Sequence, residues 1–222
     1  MPELEDRIAR NLHAIQERMA KAAERSGRPG EAARLIAVTK TVGPEEMRIL
    51  ESLGVSDFGE NRVEVAAPKI AALGRAVRWH MIGSIQRRKV RDVVSLFDAV
   101  DSVDRLELAE TLQKRCDELD KRMPILLEVN VSGEEQKHGF GPDSLEHALA
   151  ALRAYDRLAI EGLMTMAPLD APESVLRAVF SGLRRLADEY GLRERSMGMT
   201  DDFEVAIEEG ATQVRIGRAL FT

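Results

Sequence analysis

Leu35-Ile36-Ala37-Val38-Thr39-Lys40 is the stretch from which the rest of the chain is read. Four consecutive apolar residues, β-branched at Ile36 and Val38, predict a short strand buried on both faces. Gly43 and Pro44 stop it, and Pro44 suits the first turn of a following helix. Lys40 therefore stands at the carboxyl end of a buried strand. An ammonium that points inward loses its hydration. Desolvation favours the neutral amine, which can attack a carbonyl to form a Schiff base. The plainer alternative is a lysine that emerges into solvent at a strand end.

Outward from this strand the sequence alternates. A helix from Pro44 to Leu53 stops at Gly54, and Val55 to Phe58 reads as a second strand ending in Gly59-Glu60-Asn61. A helix over 62–73, a strand over 77–83, a basic helix from Gln86 to Ser95 and a strand from Leu96 to Asp101 follow. Helix 103–121 leads to strand 125–131. The Gly-rich loop from Ser132 to Gly141 then opens a helix over 143–155. Strand 158–165, helix 172–190, strand 195–199, helix 201–209 and strand 213–217 complete the chain. Eight strand–helix units predict a parallel sheet, and eight is the count for a closed (β/α)₈ barrel. An open doubly wound sheet is the alternative. Residues 3–26 form an amphipathic helix through Leu4, Ile8, Leu12, Ile15 and Met19, stopped by Ser26, Gly27, Pro29 and Gly30. The expected organisation is one domain over 1–222, with residues 1–30 as an N-terminal helical extension of the barrel.

The 222 residues are 44% hydrophobic and carry a formal net charge of −6. No long basic tract is present, which argues against a nucleic-acid partner. Arg87, Arg88, Lys89 and Arg91 read as a solvated helix face. No apolar run approaches membrane-spanning length, and the acidic start lacks the apolar centre of a signal peptide. One cysteine, Cys116, cannot form an internal disulfide, which suits a reducing compartment. A cytoplasmic protein is expected. No Cys/His cluster has metal-ligand spacing, so no metal is expected.

Barrels place their chemistry at the carboxyl ends of the strands. Here those positions hold Lys40, Asn61, the segment from His80 to Gly83, Asn130, Thr165, Ser196 to Thr200, and Arg215 to Arg218. Two turns stand out. Ser196-Met197-Gly198-Met199-Thr200-Asp201-Asp202 precedes a helix and offers hydroxyls, a glycine and free N–H groups, although its aspartates do not welcome phosphate. Arg215-Ile216-Gly217-Arg218 leaves the last strand. Barrels often bind phosphate after strands seven and eight, where both turns fall. A lysine at strand one with a phosphate cradle opposite it suggests a phosphorylated carbonyl compound. A sugar phosphate cleaved by an aldolase and pyridoxal 5′-phosphate both fit.

Seven ordered blocks carry a resemblance. They are Ala37-Val38-Thr39-Lys40, Phe58-Gly59-Glu60-Asn61-Arg62, Trp79-His80-Met81-Ile82-Gly83, Val129-Asn130-Val131-Ser132-Gly133-Glu134-Glu135, Gly162-Leu163-Met164-Thr165-Met166, Ser196 to Phe203, and Val214-Arg215-Ile216-Gly217. Together they resemble the pyridoxal phosphate homeostasis proteins, also called proline-synthetase co-transcribed proteins. The resemblance implies a barrel like the N-terminal domain of alanine racemase, holding pyridoxal 5′-phosphate. Carried over, Lys40 is the Schiff-base lysine, and Ser196, Gly217 and the backbone of Arg218 hold the phosphate with Met199 or Thr200 nearby. Arg215 faces the pyridine nitrogen, while Asn61 and His80 line the ring's surroundings. Ile85, Arg88 and His138 depart from the family pattern, which touches loop contacts with partners.

A guanidinium only donates hydrogen bonds, so Arg215 at the ring nitrogen favours an unprotonated ring, a weak electron sink. Racemases of this fold draw a tyrosine from a second domain; Tyr155 and Tyr190 fall at helical positions instead. The expected function is storage and delivery of the cofactor in vitamin B6 homeostasis, with little turnover and PLP-dependent apoenzymes as recipients. A monomer is expected, because the racemase dimer contact lies in that second domain. An amino-acid racemase or lyase with the same cofactor is the alternative, and a cofactor-free aldolase a third reading.

Overall fold

The computed structural model describes residues 2–28, 33–74, 76–134, 136 and 138–222. Pro29 and Gly30, read as part of the first helix stop, and Glu135, the last residue of the fourth block, lie outside the described residues. Strands β1 (Arg34–Val38), β2 (Asp57–Glu60), β3 (Arg78–Met81), β4 (Ala99–Val103), β5 (Met123–Glu128), β6 (Leu158–Met164), β7 (Glu194–Ser196) and β8 (Gln213–Ile216) are all parallel. They close in sequence order, β8 pairing with β1 through Ile36 opposite Arg215 and Ala37 opposite Ile216. This is the (β/α)₈ barrel read from the alternation, and the open sheet is excluded.

Helices α2 (Pro44–Ser52), α3 (Val63–Leu73), α4 (Val90–Leu96), α5 (Leu106–Glu118), α6 (Leu145–Leu152), α7 (Glu173–Glu189) and α8 (Phe203–Glu208) connect the strands, and α9 (Arg218–Phe221) closes the chain. The predicted basic helix starts as a 3₁₀ turn over Arg87–Lys89 before α4. Two strand boundaries shift for visible reasons. The second strand runs on to Glu60 because that buried carboxylate finds partners. The seventh stops at Ser196 because Gly198 takes φ +92°, which no extended strand admits.

Strand pleating sorts the sheet into two faces. Phe58, Trp79, Val100, Leu127, Leu163 and Val214 join the helices in one continuous apolar shell. Asp57, His80, Asp101, Ser196 and Arg215 face the lumen, where Ile36, Ala99, Leu126 and Met164 are buried apart from that shell. Helix α1 (Pro2–Arg25) turns Ile8, Leu12, Ile15, Met19, Ala22 and Ala23 inward and packs on α2, α8 and α9. Asn11 Nδ2 donates to the Leu220 and Thr222 carbonyls, and Arg18 and Arg25 pair with Glu204 and Glu208 of α8. The extension thus covers helices flanking the seam where the barrel closes. Cys116 is buried in α5, and burial pushes its thiol up to about 11, in keeping with a structural role. Among the described residues, no helix is long and apolar enough to cross a membrane.

Candidate functional site

The carboxyl ends of the strands form two arcs. The first comprises β7, β8 and β1. Ser196 ends β7, fully buried, and its Oγ accepts a 2.7 Å hydrogen bond from Arg215 Nη1. Having accepted, the hydroxyl keeps its proton to donate. Arg215 Nη2 donates to the Thr165 carbonyl at 2.9 Å. Two of the five guanidinium donors are thereby committed. The Arg215 N–H also donates to the Gly198 carbonyl at 3.0 Å, which ties the Ser196–Asp202 turn to β8.

Burial pushes the Arg215 guanidinium down, and Asp101, Asp202 and Glu128 pull it back up. Gly217 follows β8 and packs on Val38 so closely that an added Cβ would lie 3.2 Å from the Val38 carbonyl oxygen. Lys40 follows Val38 by two residues, past the end of β1. The turn after β8 and the end of β1, past which Lys40 stands, therefore lie side by side, because barrel closure makes β8 and β1 neighbours. The expected arrangement, with the cradle opposite the lysine, is corrected to an adjacent one.

The second arc runs from β2 to β6. Asn61, Ile82, Gly83, Ser84, Glu128, Val129, Asn130, Gln136, His138 and Met166 line a cavity of about 280 Å³. Among the described residues, Asn61 Oδ1 is buried without a hydrogen-bond partner. Gly83 is required there, since an added Cβ would stand 2.4 Å from the Asn61 carbonyl oxygen. Burial pushes the Glu128 carboxyl up, Asp104 adds to this, and Arg215 opposes it.

His80 lies deeper in the lumen, 1% exposed. Its Nδ1 is 3.0 Å from Asp101 Oδ2 and its Nε2 is 3.0 Å from Asp57 Oδ1. Burial alone pushes the imidazole down, but Asp101 and Asp57 outweigh it and hold it up to about 9. Both ring nitrogens are engaged, so His80 bridges the two aspartates beneath the mouth.

Two further expectations change. Lys40 is exposed at the end of β1 instead of shielded, because the chain turns immediately after Thr39. In the Ser196–Asp202 turn the Met199 N–H is already taken by Asp202 Oδ1 at 2.5 Å, leaving less for an anion than the sequence suggested. Met164 and Met197 fill core, whereas Met166 and Met199 are exposed at the mouth, 40% and 36%. Thr200 is half-buried and Arg218 exposed on the first arc.

Asp57, Asp101 and Glu128 escaped sequence reasoning. Their signal was a single charge at an alternate position of an otherwise apolar strand, as in Ala99-Val100-Asp101-Ser102-Val103.

Residues 10–222 match the family described as alanine racemase, N-terminal domain. A pyridoxal phosphate homeostasis protein of Aquifex aeolicus is 42% identical over 218 residues, spanning 95% of each chain. A structure of PipY from Synechococcus elongatus PCC7942 with PLP bound is 33% identical, with a TM-score of 0.84, covering 97% of this chain and 100% of PipY. A crystal structure of a protein of unknown function from Bifidobacterium adolescentis is 34% identical, with a TM-score of 0.94, covering 99% of this chain and 96% of that one. A closed barrel with this rim, matched at such identity along nearly its whole length, places the chain in the pyridoxal phosphate homeostasis protein family.

Proposed function

We propose that this protein binds pyridoxal 5′-phosphate as a Schiff base on Lys40 and serves as a carrier in vitamin B6 homeostasis, with little or no turnover of its own. One observation supports the reading: β8 pairs with β1, so the Ser196–Arg215 pair, the Gly217 turn against Val38 and the turn that carries Lys40 belong to one arc of the mouth. The donor set fits the cofactor. Ser196 and the backbone at Gly217 and Arg218 hold the phosphate, with Met199 and Thr200 alongside. Arg215 turns its remaining donors to the pyridine nitrogen, and the unpartnered Asn61 Oδ1 takes a donor at the ring's surroundings. When bound, the cofactor supplies an aldehyde that condenses with the Lys40 amine and releases water.

The carrier reading rests on Arg215 and on where the tyrosines lie. A guanidinium only donates and cannot accept a hydrogen bond from a protonated ring nitrogen, so it favours the unprotonated ring, a weak electron sink. Tyr155 lies between α6 and β6, and Tyr190 caps α7 before β7. Both therefore sit at the amino-terminal end of the barrel, opposite the mouth, and pack on the apolar shell. Neither can serve as the acid–base partner that racemisation requires. Delivery to PLP-dependent apoenzymes, a cytoplasmic location and a monomeric state belong to the same reading.

Mixing the protein with pyridoxal phosphate is expected to give a visible absorption band, and borohydride to fix the label on Lys40. Lys40→Ala is expected to lose it. Label scattered over surface lysines overturns the assignment, and steady turnover of an amino acid that vanishes in Lys40→Ala overturns the carrier role.

A further inference from the structure

Beneath Lys40, on the shell side of the sheet, lies an ionic cluster that the site described above does not use. Gly59 faces the lumen, so Glu60 faces outward toward α3, where it is fully buried. Helix α3 buries Val63, Ala66, Lys69 and Ile70 on one stripe, so Lys69 occupies a core position. Its Nζ donates to Glu60 Oε1 at 2.7 Å and to the Thr39 carbonyl at 2.6 Å. Thr39 Oγ1 donates to the same Oε1 at 2.6 Å, while Glu60 Oε2 has no hydrogen-bond partner among the described residues.

A buried ion pair is a poor device for stability alone. Well-packed apolar residues of similar volume usually serve as well or better. What hydrocarbon cannot do is add a second, charged grip on the Thr39 carbonyl, which also accepts from the Val42 N–H at 3.1 Å. That carbonyl belongs to the peptide unit whose nitrogen is that of Lys40. The Thr39 N–H donates to the Gly59 carbonyl at 3.1 Å, so the last peptide units of β1 are held at both ends. Thr39 turns into the shell, Val38 meets the Gly217 turn, and Lys40 follows at the exposed start of the turn after β1.

We infer that Lys69, held by Glu60, is a positioning residue for Lys40: its ammonium fixes the Thr39–Lys40 peptide and so aims the Lys40 amine at the aldehyde of the bound cofactor. The inference rests on the reading of Lys40 as the linking amine. A misplacement of about 1 Å at a reacting group costs up to about a hundredfold, so a loosened peptide is felt in the linkage even where the fold survives.

The test is a Lys69→Met/Glu60→Gln double variant, which removes both charges at similar volume and leaves a carboxamide to accept from the Thr39 hydroxyl. Pyridoxal phosphate is titrated by visible absorbance, borohydride-fixed label is located by peptide mapping, and melting is followed in parallel. The expected result is a folded protein whose apparent Kd rises about tenfold or more, with label shifting from Lys40 to other lysines. Lys69→Arg, which keeps charge and donors, is expected to recover most of the Lys40 label. A folded double variant that labels Lys40 with wild-type affinity and yield overturns the inference. If it melts below the assay temperature, the titration is run in the cold with a stabilising osmolyte, and the same two outcomes decide. Failure of wild-type protein to label Lys40 is a different result, and it overturns the proposed function instead.

Discussion

The two faces of one sheet differ more than any two other regions of the molecule. In five strands, neighbouring residues fall on opposite sides: Asp57 and Phe58, His80 and Trp79, Asp101 and Val100, Glu128 and Leu127, Arg215 and Val214. The second of each pair belongs to the apolar shell under the helices, and the first is a buried charged or titratable group. Each large apolar side chain fully buried in the shell contributes about 1.5–3 kcal/mol. The lumen buries groups that need partners: His80 finds Asp57 and Asp101, and Arg215 finds Ser196 and the Thr165 carbonyl. The difference teaches that the shell holds the barrel closed, whereas the lumen sets charge and reach at the mouth.

The sharpest way to break this contrast is to cut a large side chain from the shell. Trp79 is fully buried, lies 5.9 Å from Phe58 between ring centroids, and donates Nε1–H to the Gly74 carbonyl. Trp79→Ala is expected to cost about 3–5 kcal/mol of stability by chemical denaturation. A cost below about 1 kcal/mol would mean that the shell is not where stability resides.

Next is the pH response of the lumen. The folded His80 imidazole is held at about 9, above its ordinary 6.5. Its contribution is therefore full below about 6.5 and is lost as pH rises through about 9, on the order of 3 kcal/mol in all. The denaturation midpoint of wild type is expected to fall across that window. His80→Gln is expected to be less stable at pH 6 and to show a flatter profile. An equally steep fall in His80→Gln would place the titration elsewhere.

Smaller still is the effect of Ser196→Ala, which removes the hydroxyl from the first arc. It is expected to weaken pyridoxal phosphate about tenfold, about 1.4 kcal/mol, by absorbance titration, with a stability cost of about 1 kcal/mol from the partner lost to Arg215. Unchanged affinity would move the phosphate away from this turn.

The smallest effect is expected on the outer surface. Arg177 of α7 pairs with Glu173, Glu208 and Glu209 but is 39% exposed. Arg177→Ala is expected to cost no more than about 1 kcal/mol, and less in high salt. A larger, salt-insensitive loss would make the surface network a structural rival to the shell.

Most of the first arc was legible in the sequence because its elements are local. Ser196, Gly198, Gly217 and Arg218 sit in turns, and turns are written in neighbouring residues. The second arc was legible only in part. Asn61 and the loop to Gly83 end visible strands, but Glu128 looked like one stray charge in Ile125-Leu126-Leu127-Glu128-Val129. Lys69 stands in a helix with no signal of its own, and nothing nearby along the chain announces that Thr39 and Glu60 come to meet it.

The sequence by itself determined the eight-fold alternation, the extra first helix and the residue types at the strand ends, because periodicity and turn chemistry act over a few residues. Only the tertiary structure decided that β8 lies against β1, so that the lysine and the anion-directed turns are neighbours. It also decided that His80 bridges two aspartates and that Lys69 grips the peptide before Lys40. Those facts depend on closure of the sheet and on which face of a strand each side chain leaves, and closure brings together residues that no spacing along the chain connects.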